Sequence, residues 1–228
     1  MADRPAAVVS SIYGGYDELC PPAPQPVPVD WVMVTDAPVS CPPWRVVAEP
    51  RPWLTPRIAS KIPRADPGRY TGADIVIYLD ANIVIGEGLV PLLAGALGDA
   101  PLMMVPTDDR DYTKTFGWGS CWSGLRDEAA YSATMPKYEG HPIREQAEHY
   151  AAAGHPDDWG NWATGLMIRS RDCVNFGDLW LAEIMRWGGE CQLALSHVLW
   201  QMGLKPASLP LGVWNASGFS RRKHQDGT

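Results

Sequence analysis

The sequence predicts an α/β domain built on a mostly parallel central sheet flanked by helices. Three observations lead there. Short β-branched apolar runs recur along the chain, helical patterns separate them, and glycine or proline stands at most junctions. A chain of 228 residues suits one compact domain. At that length about 70–75% of the unfolded surface is buried on folding, so neither a disulfide nor a structural metal is needed. A hydrophobic fraction of 46% with 20% charged residues excludes disordered, collagen-like and coiled-coil chains.

Ala6-Ala-Val-Val-Ser-Ser-Ile-Tyr13 reads as a buried first strand ended by Gly14-Gly15. A proline-rich loop from Cys20 to Pro28 leads to Trp31-Val-Met-Val-Thr35, a second strand ending at Asp36, and Trp44-Arg-Val-Val47 is a candidate third. Thr55-Pro56 opens a short helix, with Thr55 as N-cap and Pro56 at the first helical position, and Pro63 closes it. Arg57 and Lys61, four apart, then share a helical face. Ile75-Val-Ile-Tyr-Leu79 is the strongest strand, followed directly by Asp80-Ala-Asn82 and the apolar piece Ile83-Val-Ile85.

A helix is expected over Leu89–Leu97 and a strand over Leu102–Val105. Thr107 to Pro142 shows little periodicity and is expected to be a functional loop region. Helical pattern returns at Ile143–Ala153 and stops at Gly154. A strand at Thr164–Ile168 precedes helices over about Cys173–Trp187 and Cys191–Met202. Leu195, Leu199 and Met202 recur at helical spacing, a core pattern. Residues 1–218 are therefore expected to form the single domain and 219–228 a basic tail.

A net charge of −7 argues against broad binding to nucleic acid or anionic membranes, although one basic patch can still serve an anionic ligand. The five cysteines include no Cys-x-x-Cys, so reduced, buried thiols are expected and a zinc cluster is not. No apolar run is long enough for membrane insertion and no signal-peptide pattern opens the chain, which predicts a cytoplasmic protein. Several of the eleven tryptophans, among them Trp118, Trp122, Trp159 and Trp162, fall in loop-like stretches and favour a glycan or nucleotide ligand. P-loop, dinucleotide-binding and hydrolase glycine motifs are all missing from the sequence.

Chemistry points first to Asp80-Ala-Asn82. In open α/β sheets ligands collect beyond the carboxyl ends of the strands. A carboxylate there, with a second oxygen two residues on, suits a hard divalent cation (Mn²⁺ or Mg²⁺) that also takes phosphate oxygens. A plain strand-end turn is the competing reading. Around it, Arg57-Ile-Ala-Ser-Lys61 and Ile75-Val-Ile-Tyr-Leu-Asp-Ala-Asn-Ile-Val-Ile85 resemble the arginine–lysine helix and acidic strand of the GT-A nucleotide-sugar glycosyltransferases, of the glycogenin and lipopolysaccharide-galactosyltransferase type. A nearer resemblance is to a glycosyltransferase-like domain family that includes mucilage-related hexosyltransferase-like proteins. It is carried in order by Ile12–Asp17, Asp30–Asp36, Trp44–Val47, Lys61–Pro63, the Asp80 segment, Arg126–Ala129, Ile143–Gln146 with Tyr150, Leu166–Arg169 and Gln192.

The resemblance implies a GT-A-like, Rossmann-like fold and a metal-dependent hexosyltransferase using a nucleotide-sugar donor, UDP-sugar favoured, with retention of configuration. Asp80 and Asn82 would be metal ligands with His224 as third, where a disordered tail is the alternative. Tyr13, Asp17, Thr35 and Asp36 would meet the nucleoside, or serve as turn residues. Arg57, Lys61, Arg221, Arg222 and Lys223 would neutralise the diphosphate, with a salt bridge to Asp80 the alternative for the first two. Gln192 would lie beside the sugar and Glu190 would be a substitute acid or a helix cap. Glu145 would be an acceptor-side base or part of a solvated face. The acceptor, whether glycan, protein, small molecule or modified nucleic acid, stays open. Asn82 and Cys191 stand where acids are expected, which supports a catalytically inactive glycan- or protein-binding module instead; a nucleotidyltransferase is the third reading.

Overall fold

The computed structural model describes residues 5–107, 124–188, 190–210, 212–213 and 220–222. Its strands are β1 (Ala6–Ile12), β2 (Val29–Thr35), β3 (Arg45–Ala48), β4 (Ile75–Leu79), β5 (Ile83–Val84), β6 (Leu102–Pro106), β7 (Trp162–Ser170), β8 (Ala207–Ser208) and β9 (Ser220–Arg221). Seven of them form a sheet in the order β3-β2-β1-β4-β7-β6-β8, and β5 pairs with β9 in a separate ribbon. β3, β2, β1 and β4 run parallel, and β7 is antiparallel to β4. The helices are α1 (Pro56–Ala59), α2 (Lys61–Ala65), α3 (Leu89–Leu97), α4 (Leu125–Ser132), α5 (Ile143–Ala152), α6 (Gly177–Trp187) and α7 (Cys191–Gln201). This is the α/β architecture the sequence predicts.

Two compact units divide the chain: residues 1–103, 165–175 and 206–228, and residues 104–164 and 176–205. In the first unit every residue of β1 and β4 is buried, as expected of parallel strands covered on both faces. Val9, Tyr13, Val32, Val34 and Val76 pack with Ala59 of α1. From β1 the chain steps outward to β2 and β3, then returns to place β4 on the other side of β1. That reversal opens a crevice at the carboxyl ends of β1 and β4.

Gly14 makes the turn after β1 possible. Its φ is +67°, and a Cβ there would lie 2.8 Å from the Pro56 side chain. Its N–H donates to Asp36 Oδ2 at 2.8 Å, joining the ends of β1 and β2. Gln25 anchors the proline-rich loop by donating to the Gly86 carbonyl and accepting from Val90 N–H, both at 3.0 Å.

The second unit has its own core of Leu125, Ala129, Tyr138, Ile143, Ala147, Tyr150 and Leu193. Beside it the Tyr150 ring stacks on His197 at 3.9 Å, and His155 packs against Trp200 and Trp159. His197 thus packs rather than exposing a base, and Trp159 and Trp162, 4.9 Å apart, are packing residues, Trp162 opening β7. Trp118 and Trp122 lie outside the described residues.

Three elements depart from expectation. The helix opened by Thr55, whose side chain accepts from Ile58 N–H, stops at Ala59, and a second begins at Lys61. Pro63 sits in the first turn of α2, where its missing N–H removes no helical bond, so it does not end the helix. Arg57 and Lys61 therefore occupy different helices. α4 lies inside the stretch expected to be irregular, because its buried face includes Glu128 and Ser132 and its apolar period is masked. α6 starts at Gly177, four residues later than the pattern predicts.

Gly14→Ala should lower stability by about 1–3 kcal/mol, from the left-handed backbone penalty plus the collision with Pro56. Urea unfolding of the variant beside the parent protein measures it.

Candidate functional site

The crevice between β1 and β4 holds the sharpest polar arrangement in the first unit. Asp80 follows the last residue of β4 and forms an ion pair with Arg64 through Oδ1. The Arg64 guanidinium also lies over the Tyr78 ring, 5.3 Å from its centroid. Tyr78 hydroxyl donates to Asp80 Oδ1 at 3.4 Å and is 3.2 Å from Ser11 Oγ, which donates to the Ser60 carbonyl. Complete burial pushes the Tyr78 hydroxyl above its ordinary range, so it stays a neutral donor to the carboxylate.

Backbone contacts hold the same turn. Asp80 N–H donates to the Gly165 carbonyl at 2.8 Å, and Ile83 N–H to the Asp80 carbonyl at 2.9 Å. A Cβ on Gly165 would come within 3.0 Å of Asp80 Oδ2, so glycine leaves the carboxylate its place against β7. Asn82 is buried, and its Nδ2 donates to the Arg222 carbonyl at 3.4 Å while Arg222 N–H donates to the Asn82 carbonyl at 2.7 Å. β9 continues this clamp by pairing Arg221 with Ile83 and Ser220 with Val84.

Asp80 has one oxygen committed to Arg64, and the Asn82 amide is turned to the tail. No cluster of three histidine, cysteine, aspartate or glutamate residues occurs among the described residues. His224 and Lys223 lie outside the described residues, and of Arg221 only the backbone pairing is described.

The other predicted donor-side residues fall at the same edge of the sheet. Tyr13 is buried, with its hydroxyl donating to the Glu49 carbonyl at 3.0 Å and bonded by Arg51, so burial raises it well above the ordinary phenol range. Thr35 is buried and accepts from Ala37 N–H at 3.3 Å, while Asp36 holds Gly14; both serve the turns they sit in. Asp17, Arg57 and Lys61 are half-buried. Two residues at this edge went unpredicted as site residues. Trp53, 76% exposed, and Tyr16, 42% exposed, stand on the loops after β3 and β1. A tryptophan directly after a proline, Pro52-Trp53, is the one sequence signal that marks the first of these positions.

In the second unit Glu190 caps α7, its side chain accepting from Gln192 N–H at 2.7 Å. Cys191 is buried 3.3 Å from Thr164 Oγ1, and its carbonyl accepts from Trp180 Nε1 at 2.8 Å. Gln192 is half-buried, and Glu145 is exposed on α5, on a solvated helical face. A residue that received no role from sequence lies deeper. Glu128 accepts from Ser132 Oγ at 3.0 Å and from Asn161 Nδ2 at 3.3 Å, and Asn161 in turn accepts from Ser196 at 2.8 Å. Burial, helped by the negative charge of Glu190, lifts the Glu128 carboxyl to about 8. Burial likewise holds His155 and His197 down at about 4, so both rings are neutral.

No protein-family model matches the sequence, and a search of curated proteins finds no relative. Among solved structures the chain is similar to the apo form of the bifunctional glycosyltransferase WbbM, at 14% identity and TM-score 0.48, covering 92% of this chain. It spans 39% of the WbbM chain. It is also similar to the galactosyltransferase LgtC in complex with donor and acceptor sugar analogs, at 12% identity and TM-score 0.43, over 89% of this chain and 72% of that one. Among the described residues no helix is long and apolar enough to cross a membrane.

Two measurements check this description. A double-mutant cycle of Arg64→Met and Asp80→Asn should give a coupling of about 1–2 kcal/mol, since Asp80 keeps 30% side-chain exposure. Glu128 holds its proton more tightly folded than unfolded, so its contribution is fully present below about pH 4.5 and is lost as pH rises through about 8. The melting temperature should fall by several degrees between pH 6 and pH 9, and Glu128→Gln should flatten that decline.

Proposed function

We propose that the protein is a glycosyltransferase: it transfers a sugar from a nucleoside-diphosphate donor, a UDP-sugar in the favoured case, to an acceptor hydroxyl with retention at C1. The observation that carries this reading is Asp80, a carboxyl side chain fixed by Arg64 and Tyr78 at the point where the strand order reverses. The ordered run of motifs around Asp80 supports it from the sequence side. In the transfer the acceptor oxygen bonds to C1, the bond from C1 to the diphosphate oxygen breaks, and the hydroxyl proton leaves. Negative charge grows on the departing diphosphate, so fixed cationic groups at this edge give the larger share of the rate. Exposed Trp53 and Tyr16 offer flat faces for a base or sugar at the same edge.

One observation favours a second reading, a glycan-binding module without catalysis: Cys191 is sealed between Thr164 and Trp180 where the resembling families carry an acid. A single assay separates the two. Incubation with UDP- and GDP-sugars, each with Mn²⁺ and with EDTA, should release nucleoside diphosphate slowly, and Asp80→Asn should cut the rate at least about tenfold. No donor hydrolysis under any of these conditions, together with retained glycan binding, selects the module.

A further inference from the structure

Helix α6 carries an apolar face that lies open to solvent. On its inner side Trp180 and Ile184 are buried, and Trp180 Nε1 donates to the Cys191 carbonyl at 2.8 Å, which anchors α6 against α7. On the opposite side Asp178, Leu179, Ala182, Met185 and Arg186 are all exposed. At about 100° per residue, these five fall within about 60° of Ala182 around the helix axis. Leu179 is 53% exposed and Met185 56%. Two large apolar side chains on one helical face, both more than half in water, are unfavourable until something covers them.

The order of residues on this face is symmetric about Ala182, with the sign of charge reversed across it. Three positions either side stand Leu179 and Met185, and four positions either side stand Asp178 and Arg186. A helix that pairs with a second copy of itself across a two-fold axis needs this order, because antiparallel helices bring together residues at equal distances either side of the crossing point. With the axis at Ala182, Leu179 of each copy meets Met185 of the other, and Asp178 meets Arg186. The small Ala182 side chains face each other and let the helices approach closely. Asp178 stands in the first turn of α6 and Arg186 in the last, so the antiparallel pair also brings opposite ends of the two helix dipoles together. A parallel pair would set Asp178 against Asp178 and Arg186 against Arg186. Arg186 can reach a partner: 55% of its side chain is exposed, and its ion pair with Glu183 is long, at 3.7 Å.

We propose that α6 is the centre of a two-fold homodimer, in which Leu179, Ala182 and Met185 make the contact and the Asp178–Arg186 pairs set its direction. Charge favours a second copy over other occupants. A helical face that lies on an anionic membrane is rimmed by lysine and arginine. This one carries one acid and one base, on a chain of net charge −7. A single helical face is at the small end of specific interfaces, so the dimer is weak, with a dissociation constant of about 10–100 µM. The inference uses no residue of the Asp80 crevice and is independent of the glycosyl-transfer reading.

Sedimentation velocity of the full chain between about 5 and about 300 µM tests this, with melting temperatures recorded so that folding is known. The parent chain should pass from monomer to dimer across that range. Ala182→Glu sets two carboxylates against each other at the axis, on an exposed helical position that tolerates glutamate, and should weaken association at least about tenfold. Asp178→Arg and Arg186→Asp should each weaken it about fivefold, and the two together should restore it towards the parent affinity. Restoration by reversed charges distinguishes a defined antiparallel pair from general stickiness. A chain that stays monomeric throughout the range overturns the inference. Association undiminished in folded Ala182→Glu, or not restored by the paired reversal, overturns it too. Co-sedimentation with phosphatidylcholine–phosphatidylserine vesicles that is lost in Leu179→Ser assigns the face to lipid and overturns the dimer.

Discussion

The charge at the end of β4 is the constraint from which the first unit's site follows. Five consecutive buried residues, Ile75–Leu79, deliver Asp80, half-buried, to the edge of the sheet. A carboxylate in that position is costly unless paired. Arg64, Tyr78 and the Asp80 backbone provide the pairing from one side, while Gly165 lets the side chain sit close to β7. Each partner limits what the carboxylate can still do. One carboxylate oxygen is held by Arg64, which fixes where the side chain points.

The fold was legible where burial alone decides conformation. β1, β2 and β4 are short, largely apolar runs, and α3 matches its expected span from Leu89 to Leu97. Legibility failed where polar residues face inward. α4 buries Glu128 against Ser132 and Asn161, so the hydropathy period that would announce a helix is broken by the very group that anchors it. Pro63 misled for a local reason: a proline reads as a stop, yet in a first turn it costs no hydrogen bond.

The candidate site shows the same division. Its position at Asp80 and its cationic surroundings followed from strand-end logic, but the particular arginine did not. Arg57 and Lys61 stand in two short helices on either side of Ser60, and it is Arg64 of the second that pairs with the carboxylate. Similarly, Glu190 answers its two alternatives by capping α7, a role set by the backbone N–H groups of the helix and readable from its place before a helical run. Glu128 had no such local signature, because besides Ser132 its environment includes Asn161, 33 positions away.

Each unit accommodates an inward-facing carboxyl, and they do so by different means. In the second, Glu128 meets a neighbouring carboxylate and two neutral donors, so the economical solution is to keep the proton, which is why its carboxyl titrates near 8. In the first, Asp80 is met by the Arg64 guanidinium. Arg222 is the case that neither solution covers. A guanidinium cannot shed its proton at any ordinary pH, and its neighbours among the described residues are two carbonyls and a thiol. The backbone bonds to Asn82 nevertheless hold it at the Asp80 turn. Arg222 therefore keeps its charge beside the Asp80–Arg64 pair, in the wall of the same cavity, on backbone and thiol contacts alone among the described residues.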